Sequence, residues 1–204
     1  MKLVLVTNRN LALKMPFLQV IRECCIAGIN EIHLREKDLP ARQLYELASR
    51  VKSITAKYGV PLVISHDVSV ALAVEASGVH LGFSSLPLEK AREICSQQKL
   101  RIGVSVHSLS DTEQAQGADY IIAGHIFPTA CKEDLEPKGT AFLQELKKLV
   151  QIPVIAIGGI SPENIGKLNR LNIDGAAIMS GLMTAEKPAK YVEQIMTGLT
   201  IIKQ

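Results

Sequence analysis

The chain predicts an α/β fold, a single (β/α)8 TIM barrel taking residues 1–204 as one domain. Three observations predict it. Eight short apolar runs alternate with stretches of helical periodicity, as expected of parallel strands covered on both faces by their connections. The last two runs, 153–157 and 175–179, end in Gly158-Gly159 and Ser180-Gly181. In barrels the loops after strands 7 and 8 commonly form a phosphate site. The first run ends in Thr7-Asn8-Arg9, without the Gly-rich turn that opens a doubly wound nucleotide-binding sheet.

Taken in order, strand 1 is 3–7, and a helix starts near Pro16, a favoured first-turn residue. Strand 2 is 31–35. The helix of about 40–58 repeats Leu44, Leu47, Ala48 and Val51 at helical spacing. Strand 3, 61–65, follows a stop at Gly59. An Ala-rich helix at 70–76 leads through Gly78 into strand 4, 79–82, and a helix at 87–97 precedes strand 5, 101–106. Residues 108–116 read as helical, with Asp111 and Glu113 in a first turn where the helix dipole favours acids. Strand 6 is 119–124, followed by the longest loop, 125–139, and a helix at 140–150. After strand 7, Ser161 reads as an N-cap with Pro162 at the first helical position. Strand 8 and an amphipathic helix at 187–198 complete the chain. Eight units in 204 residues is the low end of a range of roughly 200 to 400 residues for this architecture.

Composition narrows the class. The chain is 47% hydrophobic and 21% charged, with net charge +3, a globular balance that argues against disorder and gives no reason to expect nucleic acid. The weak excess of cations suits small anionic substrates. Four cysteines, at 24, 25, 95 and 131, show neither CxxC nor Cys/His spacing, so neither a zinc site nor a disulfide framework is expected. Free thiols fit a reducing cytoplasm. The opening apolar run is too short for a signal core or a membrane span. Oligomeric state stays open, a homo-oligomer included.

Barrel chemistry sits at the carboxyl ends of the strands, which selects the candidates. Thr7, Asn8 and Arg9 follow strand 1. Period-two alternation puts His33, Arg35 and Lys37 on one side of strand 2. Cations at a barrel mouth favour an anionic ligand; the alternative for Arg35 is a salt bridge to a neighbouring carboxylate. Ser65 and His66 follow strand 3, and Phe83, Ser84 and Ser85 follow strand 4. Ser105 and His107 end strand 5. The N–H groups of Gly158, Gly159, Ser180 and Gly181 suit a phosphate.

His125 starts the long loop directly after strand 6. A neutral imidazole there can take and give a proton near neutral pH; the alternative is a loop-anchoring hydrogen bond. Within the loop, Thr129 and Lys132 can reach a phosphate or carboxylate, and Glu133, Asp134 and Glu136 read as a solvated acidic face. Cys131 lacks the neighbours that would activate a thiol. His80, between Val79 and Leu81, reads as core packing; His33, His66 and His107 are left undecided between packing and ligand contact.

LVTNR, HLREKD, GVHLG, IGVSVHS, ADYIIAGHIFPT with Cys131-Lys132, IPVIAIGGI and GAAIMSG, in this order, resemble the thiamin phosphate synthase superfamily across nearly the whole chain. The resemblance implies a (β/α)8 barrel acting on thiazole phosphates. Synthases of that family join a pyrimidine methyl diphosphate to a thiazole phosphate and need Mg²⁺. They carry Asn-Asp after strand 3, Gly-Gln-x-Asp after strand 4 and Gly-Pro after strand 6. Here Ser65-His66, Gly82-Phe83-Ser84-Ser85 and Gly124-His125 stand in those places, although Asp67 lies one position along. Gly124-His125-Ile126-Phe127 and Cys131-Lys132 are more similar to the TenI-like thiazole tautomerases. That branch implies a cytoplasmic isomerase without metal or cofactor. His125 would then be the proton carrier, and Gly158, Gly159, Ser180 and Gly181 the phosphate clamp. Arg35 and Lys37 would steady the substrate, with Ser105 and His107 as further contacts. The expected partner is a small thiazole phosphate, with no nucleic acid and no membrane. Alternatives are an Mg²⁺-dependent thiamin phosphate synthase and a non-catalytic thiazole phosphate-binding protein.

Overall fold

The computed structural model describes residues 1–132 and 134–199, and the backbone of residue 200. Eight strands pair in parallel and in chain order, and β1 pairs with β8 to close the barrel. The elements are β1 (Lys2–Val6), α1 (Phe17–Ile26), β2 (Glu31–Leu34), α2 (Ala41–Thr55), β3 (Leu62–Ser65), α3 (Val68–Ala73), β4 (Gly78–Leu81) and α4 (Leu88–Ile94). They continue with β5 (Arg101–Val106), β6 (Tyr120–Gly124), α5 (Gly139–Leu149), β7 (Val154–Ile157), α6 (Gly166–Asn169), β8 (Gly175–Ile178), α7 (Ser180–Met183) and α8 (Pro188–Thr200). The predicted barrel is the observed one.

Alternation along each strand sorts the core into two layers. Leu3, Leu5, Ile32, Leu34, Ile64 and Ile102 face the helices, where Ile21, Ala48, Leu143 and Leu146 meet them. Each such side chain contributes about 1.5–3 kcal/mol by leaving water. Val4, Val6, Ile122, Ile155 and Ala177 face inward and fill one half of the barrel interior. The other half is polar: Glu31, His33 and His80 are buried on β2 and β4. Tyr120 crosses between the halves. Its ring lies where a Cβ on Gly103 would be, so the glycine on β5 makes room for the aromatic ring on β6.

Two local expectations change. No α-helix forms over 108–116; among those residues only a 3-10 turn, Ser110–Thr112, is helical. The Asp111 carboxylate instead accepts from the N–H groups of His107 (2.7 Å) and Ser108 (2.9 Å), tying the turn to the end of β5. Ser161 does not cap a helix, since α6 begins only at Gly166. Its hydroxyl donates to Glu163 and its N–H donates to Asn164 Oδ1 at 2.9 Å. Asp67, by contrast, caps α3 by accepting from Val70 N at 2.9 Å. Cys24, Cys25 and Cys95 are buried free thiols and Cys131 is exposed. Among the described residues no helix is long and apolar enough to cross a membrane.

Candidate active site

A cavity of about 610 Å³ opens at the carboxyl ends of the strands and runs down into the polar half of the barrel. Arg35, Lys37, Ser105, His107, His125, Thr129 and Lys132 line it, as do Gly158, Gly159 and Ser180. Gly181 lies one residue further, beneath the hydroxyl of Tyr191. Ten of the eleven residues selected from the sequence therefore share one chamber.

The turn after β7 is built on positive backbone angles, φ +100° at Gly158 and +63° at Gly159, which favour glycine. A Cβ on Gly158 would strike His125, and one on Gly159 would strike the carbonyls of Phe127 and Pro128. The close approach is sealed by Ile126 N donating to Ile157 O (2.9 Å) and Phe127 N to Gly158 O (3.0 Å). Among the described residues, no turn or loop hydrogen bond uses the N–H of Gly158, Gly159, Ser180 or Gly181. Those donors remain available for an anion at this rim.

Across the mouth stand Arg35, Lys37 and Lys132. None of the three pairs with a carboxylate among the described residues. The Arg35 guanidinium rests 4.0 Å from Met179 Sδ instead. Burial, then Arg35 and Lys132, lower the Lys37 pKa, and burial with Arg35 and Lys138 lowers that of Lys132. These cations repel one another in a partly dry site. Arg9 is different: it is paired with Glu36 and Asp38, and Glu36 also accepts a hydrogen bond from the Thr7 hydroxyl at 2.6 Å. That set braces the β1 end, and Thr7 Oγ1 accepts from Arg35 N at 3.0 Å. Thr7, with Glu36 and Arg9 behind it, thus holds Arg35 in place, while Asn8 lines the cavity.

The histidines divide by environment. His125 is 4% exposed, and its Nε2–H donates to Leu135 O at 3.1 Å. Lys138 N returns to His125 O at 2.9 Å, so this residue fastens the long loop at both its side chain and its main chain. His107 donates from Nδ1 to Gly124 O at 2.5 Å and stacks on Phe83, with centroids 5.1 Å apart. Burial lowers its pKa. His66 shares a 2.9 Å hydrogen bond between Nδ1 and Ser85 Oγ, which also accepts from Gly82 N. Burial, then Lys37 and Arg35, push His66 down to about 4, so its ring is neutral at working pH.

Sequence reasoning treated His80 as core and missed its part in the chamber. It is 6% exposed yet lines the cavity, and its Nε2 lies 2.9 Å from Ser105 Oγ. The alternation that turned His33 inward on β2 applies equally to His80 between Val79 and Leu81. The two rings lie 5.5 Å apart, and the Nδ1 atoms of both are buried without a partner among the described residues. Below them Glu31 binds His33 (2.7 Å), Lys2 (3.1 Å) and Arg101.

The donor set does not fit a divalent cation. Mg²⁺ favours hard oxygen ligands, mainly carboxylates, and the turns after β3 and β4 offer His66, Ser84 and Ser85. Asp67 is engaged by Val70 N and by Ser69 Oγ at 2.7 Å. Glu36 is held by Thr7 and Arg9, and Asp111 by His107 and Ser108. Among the described residues no three acidic, histidine or cysteine side chains are grouped to hold a metal.

Residues 3–182 match the TMP-TENI family, described as thiamine monophosphate synthase. The chain is 40% identical over 195 residues to a thiamine-phosphate synthase of Clostridium tetani, covering 95% of this chain and 93% of that protein. It is likewise 40% identical over 198 residues to one from Methanobrevibacter smithii, covering 96% and 94%. A solved thiamine phosphate pyrophosphorylase from Pyrococcus furiosus superposes with TM-score 0.89 at 36% identity, covering 100% of this chain and 97% of that one. These relatives overturn the expected thiazole tautomerase and its isomerase class, since they are named as synthases, which are transferases. The physical basis of the error is the weight given to one imidazole: His125 sits where a proton carrier would, but its Nε2–H is spent on the Leu135 carbonyl.

Proposed function

We propose that this chain, which belongs to the TMP-TENI family of thiamine monophosphate synthase, joins a pyrimidine methyl diphosphate to a thiazole phosphate to make thiamine phosphate. The observation that carries the reading is about 40% identity to named thiamine-phosphate synthases along almost the entire chain. It is supported by a mouth that carries unused backbone N–H groups and three cations without a carboxylate partner among the described residues. The thiazole phosphate is held by the N–H groups of Gly158, Gly159, Ser180 and Gly181, none of which is used by a turn or loop hydrogen bond among the described residues. The diphosphate lies on Arg35, Lys37 and Lys132, with Thr129 beside them. The pyrimidine ring enters the polar chamber, where neutral His33 and His80 and the Ser105 hydroxyl offer hydrogen bonds to ring nitrogens and an amino group.

The reaction breaks the methylene C–O bond, and pyrophosphate leaves with the electron pair. The thiazole nitrogen lone pair forms the new C–N bond. The cations stabilise the charge that grows on the departing oxygen, and the N–H groups and cations together hold the reacting atoms in one orientation. No proton is transferred in this step. His125 serves by fastening the 125–139 loop, and so positions Thr129 and Lys132 and closes over Gly158.

Incubating the protein with both substrates and following thiamine phosphate by chromatography tests the reading; its formation with equimolar pyrophosphate is expected. A second reading, a non-catalytic binder of thiazole phosphate, is favoured by one observation: Asp67, the nearest acid after β3, is turned away as a helix cap. Calorimetric binding of thiazole phosphate without any coupling is the result that selects it.

A further inference from the structure

We infer that the mouth of this barrel holds a diphosphate through the side-chain cations Arg35, Lys37 and Lys132, without a divalent metal ion as partner. The inference rests on the synthase reading for the identity of the anion, but its grounds are separate. Where a metal would need acids, the β3 and β4 turns are closed on themselves. His66 adopts φ +72° and lays its ring against Gly82, so close that a Cβ there would come within 2.5 Å of Cε1. Ser85 locks the pair from the other side, at 2.9 Å to His66 Nδ1 and 2.9 Å to Gly82 N. A neutral ring and a hydroxyl stand there, and the nearest acids are already bound by backbone N–H groups, hydroxyls or Arg9.

The charge balance points the same way. Three cations face the chamber without a carboxylate among the described residues. Burial first, and then repulsion from neighbouring cations with Arg35 the foremost, lowers the pKa of Lys37 and of Lys132. A bare divalent cation would add to that repulsion, whereas a diphosphate removes it. Even one phosphate brings about −1.5 to −2 charges, and a guanidinium matches its oxygens in a two-pronged hydrogen bond. Lys37 and Lys132 add point charges that follow the anion as the ester bond breaks.

Inorganic pyrophosphate is the probe, measured by titration calorimetry at fixed salt in EDTA and again in excess Mg²⁺. Binding in EDTA is expected to be at least as tight as in Mg²⁺, because the metal complex of pyrophosphate carries less charge to the three cations. Arg35→Gln and Lys132→Ala, checked for native circular dichroism, are each expected to weaken binding in EDTA about tenfold, from the loss of a charge-assisted contact. Binding seen only with Mg²⁺, no binding in either condition, or binding in EDTA that both variants leave unchanged overturns the inference. Coupling with Mg²⁺-only pyrophosphate binding refutes this inference and leaves the synthase reading intact. Metal-free binding without coupling does the reverse.

Discussion

His33 Nε2 lies 2.7 Å from Glu31 Oε1 inside the barrel, with both side chains at most 1% exposed. A carboxylate only accepts, so His33 donates from Nε2 and keeps a lone pair on Nδ1. Burial lowers the His33 pKa against the pull of Glu31, while burial of Glu31 is outweighed by His33 and Arg101, which hold it at about 2. The pair is a neutral ring oriented by a fixed anion, and it sets which atom the chamber presents from below.

Removing that anion is expected to be costly. Glu31→Ala leaves Arg101 and Lys2 facing a buried void and is expected to lose about 3–5 kcal/mol, read as a lower urea midpoint at pH 7. The pH sign follows from both depressed pKa values. His33 contributes stability above its unfolded pKa near 6.5 and Glu31 above its own near 4.5. Stability is therefore expected to fall as pH drops below 6.5, and further between 4.5 and 2. Urea midpoints at pH 7, 5 and 3 check this, and Glu31→Gln is expected to flatten the lower part of the decline.

Tyr120 gives a contrasting case. Its hydroxyl is buried without a partner among the described residues, while its ring lies 4.9 Å beneath the Arg101 guanidinium. Tyr120→Phe keeps the ring and removes the unsatisfied group, so stability is expected to stay level or rise by about 1 kcal/mol. A loss above that size would show that the hydroxyl has a structural partner.

The glycine rim is tested by Gly158→Ala. At φ +100°, with His125 in the path of the new Cβ, backbone strain of order 1–3 kcal/mol is expected. The rim then opens, and thiazole phosphate affinity is expected to fall at least tenfold. Calorimetry on the folded variant measures it. Affinity equal to wild type would mean that the phosphate sits elsewhere.

His66 reports on the neighbouring cations. Its pKa of about 4 owes first to burial and then to Lys37 and Arg35. An anion bound to those cations is expected to raise it, which NMR titration of the ring with and without pyrophosphate reads directly.

The barrel was legible because strands covered on both faces write themselves as unbroken apolar runs, from Leu3 to Ile178. The phosphate turns were legible because Gly-Gly and Ser-Gly follow the last two of those runs. Other features depend on distant chain segments. Glu31 meets Arg101 across the barrel floor, 70 residues away, and no local pattern carries that pairing. Asp111 looked like a first-turn acid because its role as acceptor for His107 and Ser108 depends on how β5 ends. The tautomerase expectation failed for a related reason. Gly124-His125 placed an imidazole at the right height, but the hydrogen bond to Leu135 that occupies it comes from a loop fold the sequence does not spell out.

The most direct test of the synthase reading is a single incubation series with pyrimidine methyl diphosphate and thiazole phosphate, run in EDTA and in Mg²⁺. Thiamine phosphate and pyrophosphate forming together in equal amounts, and falling about 10²-fold or more in Arg35→Gln through lost stabilisation of the leaving group, is the expected result. A folded protein that binds thiazole phosphate but yields no thiamine phosphate in either condition would contradict it.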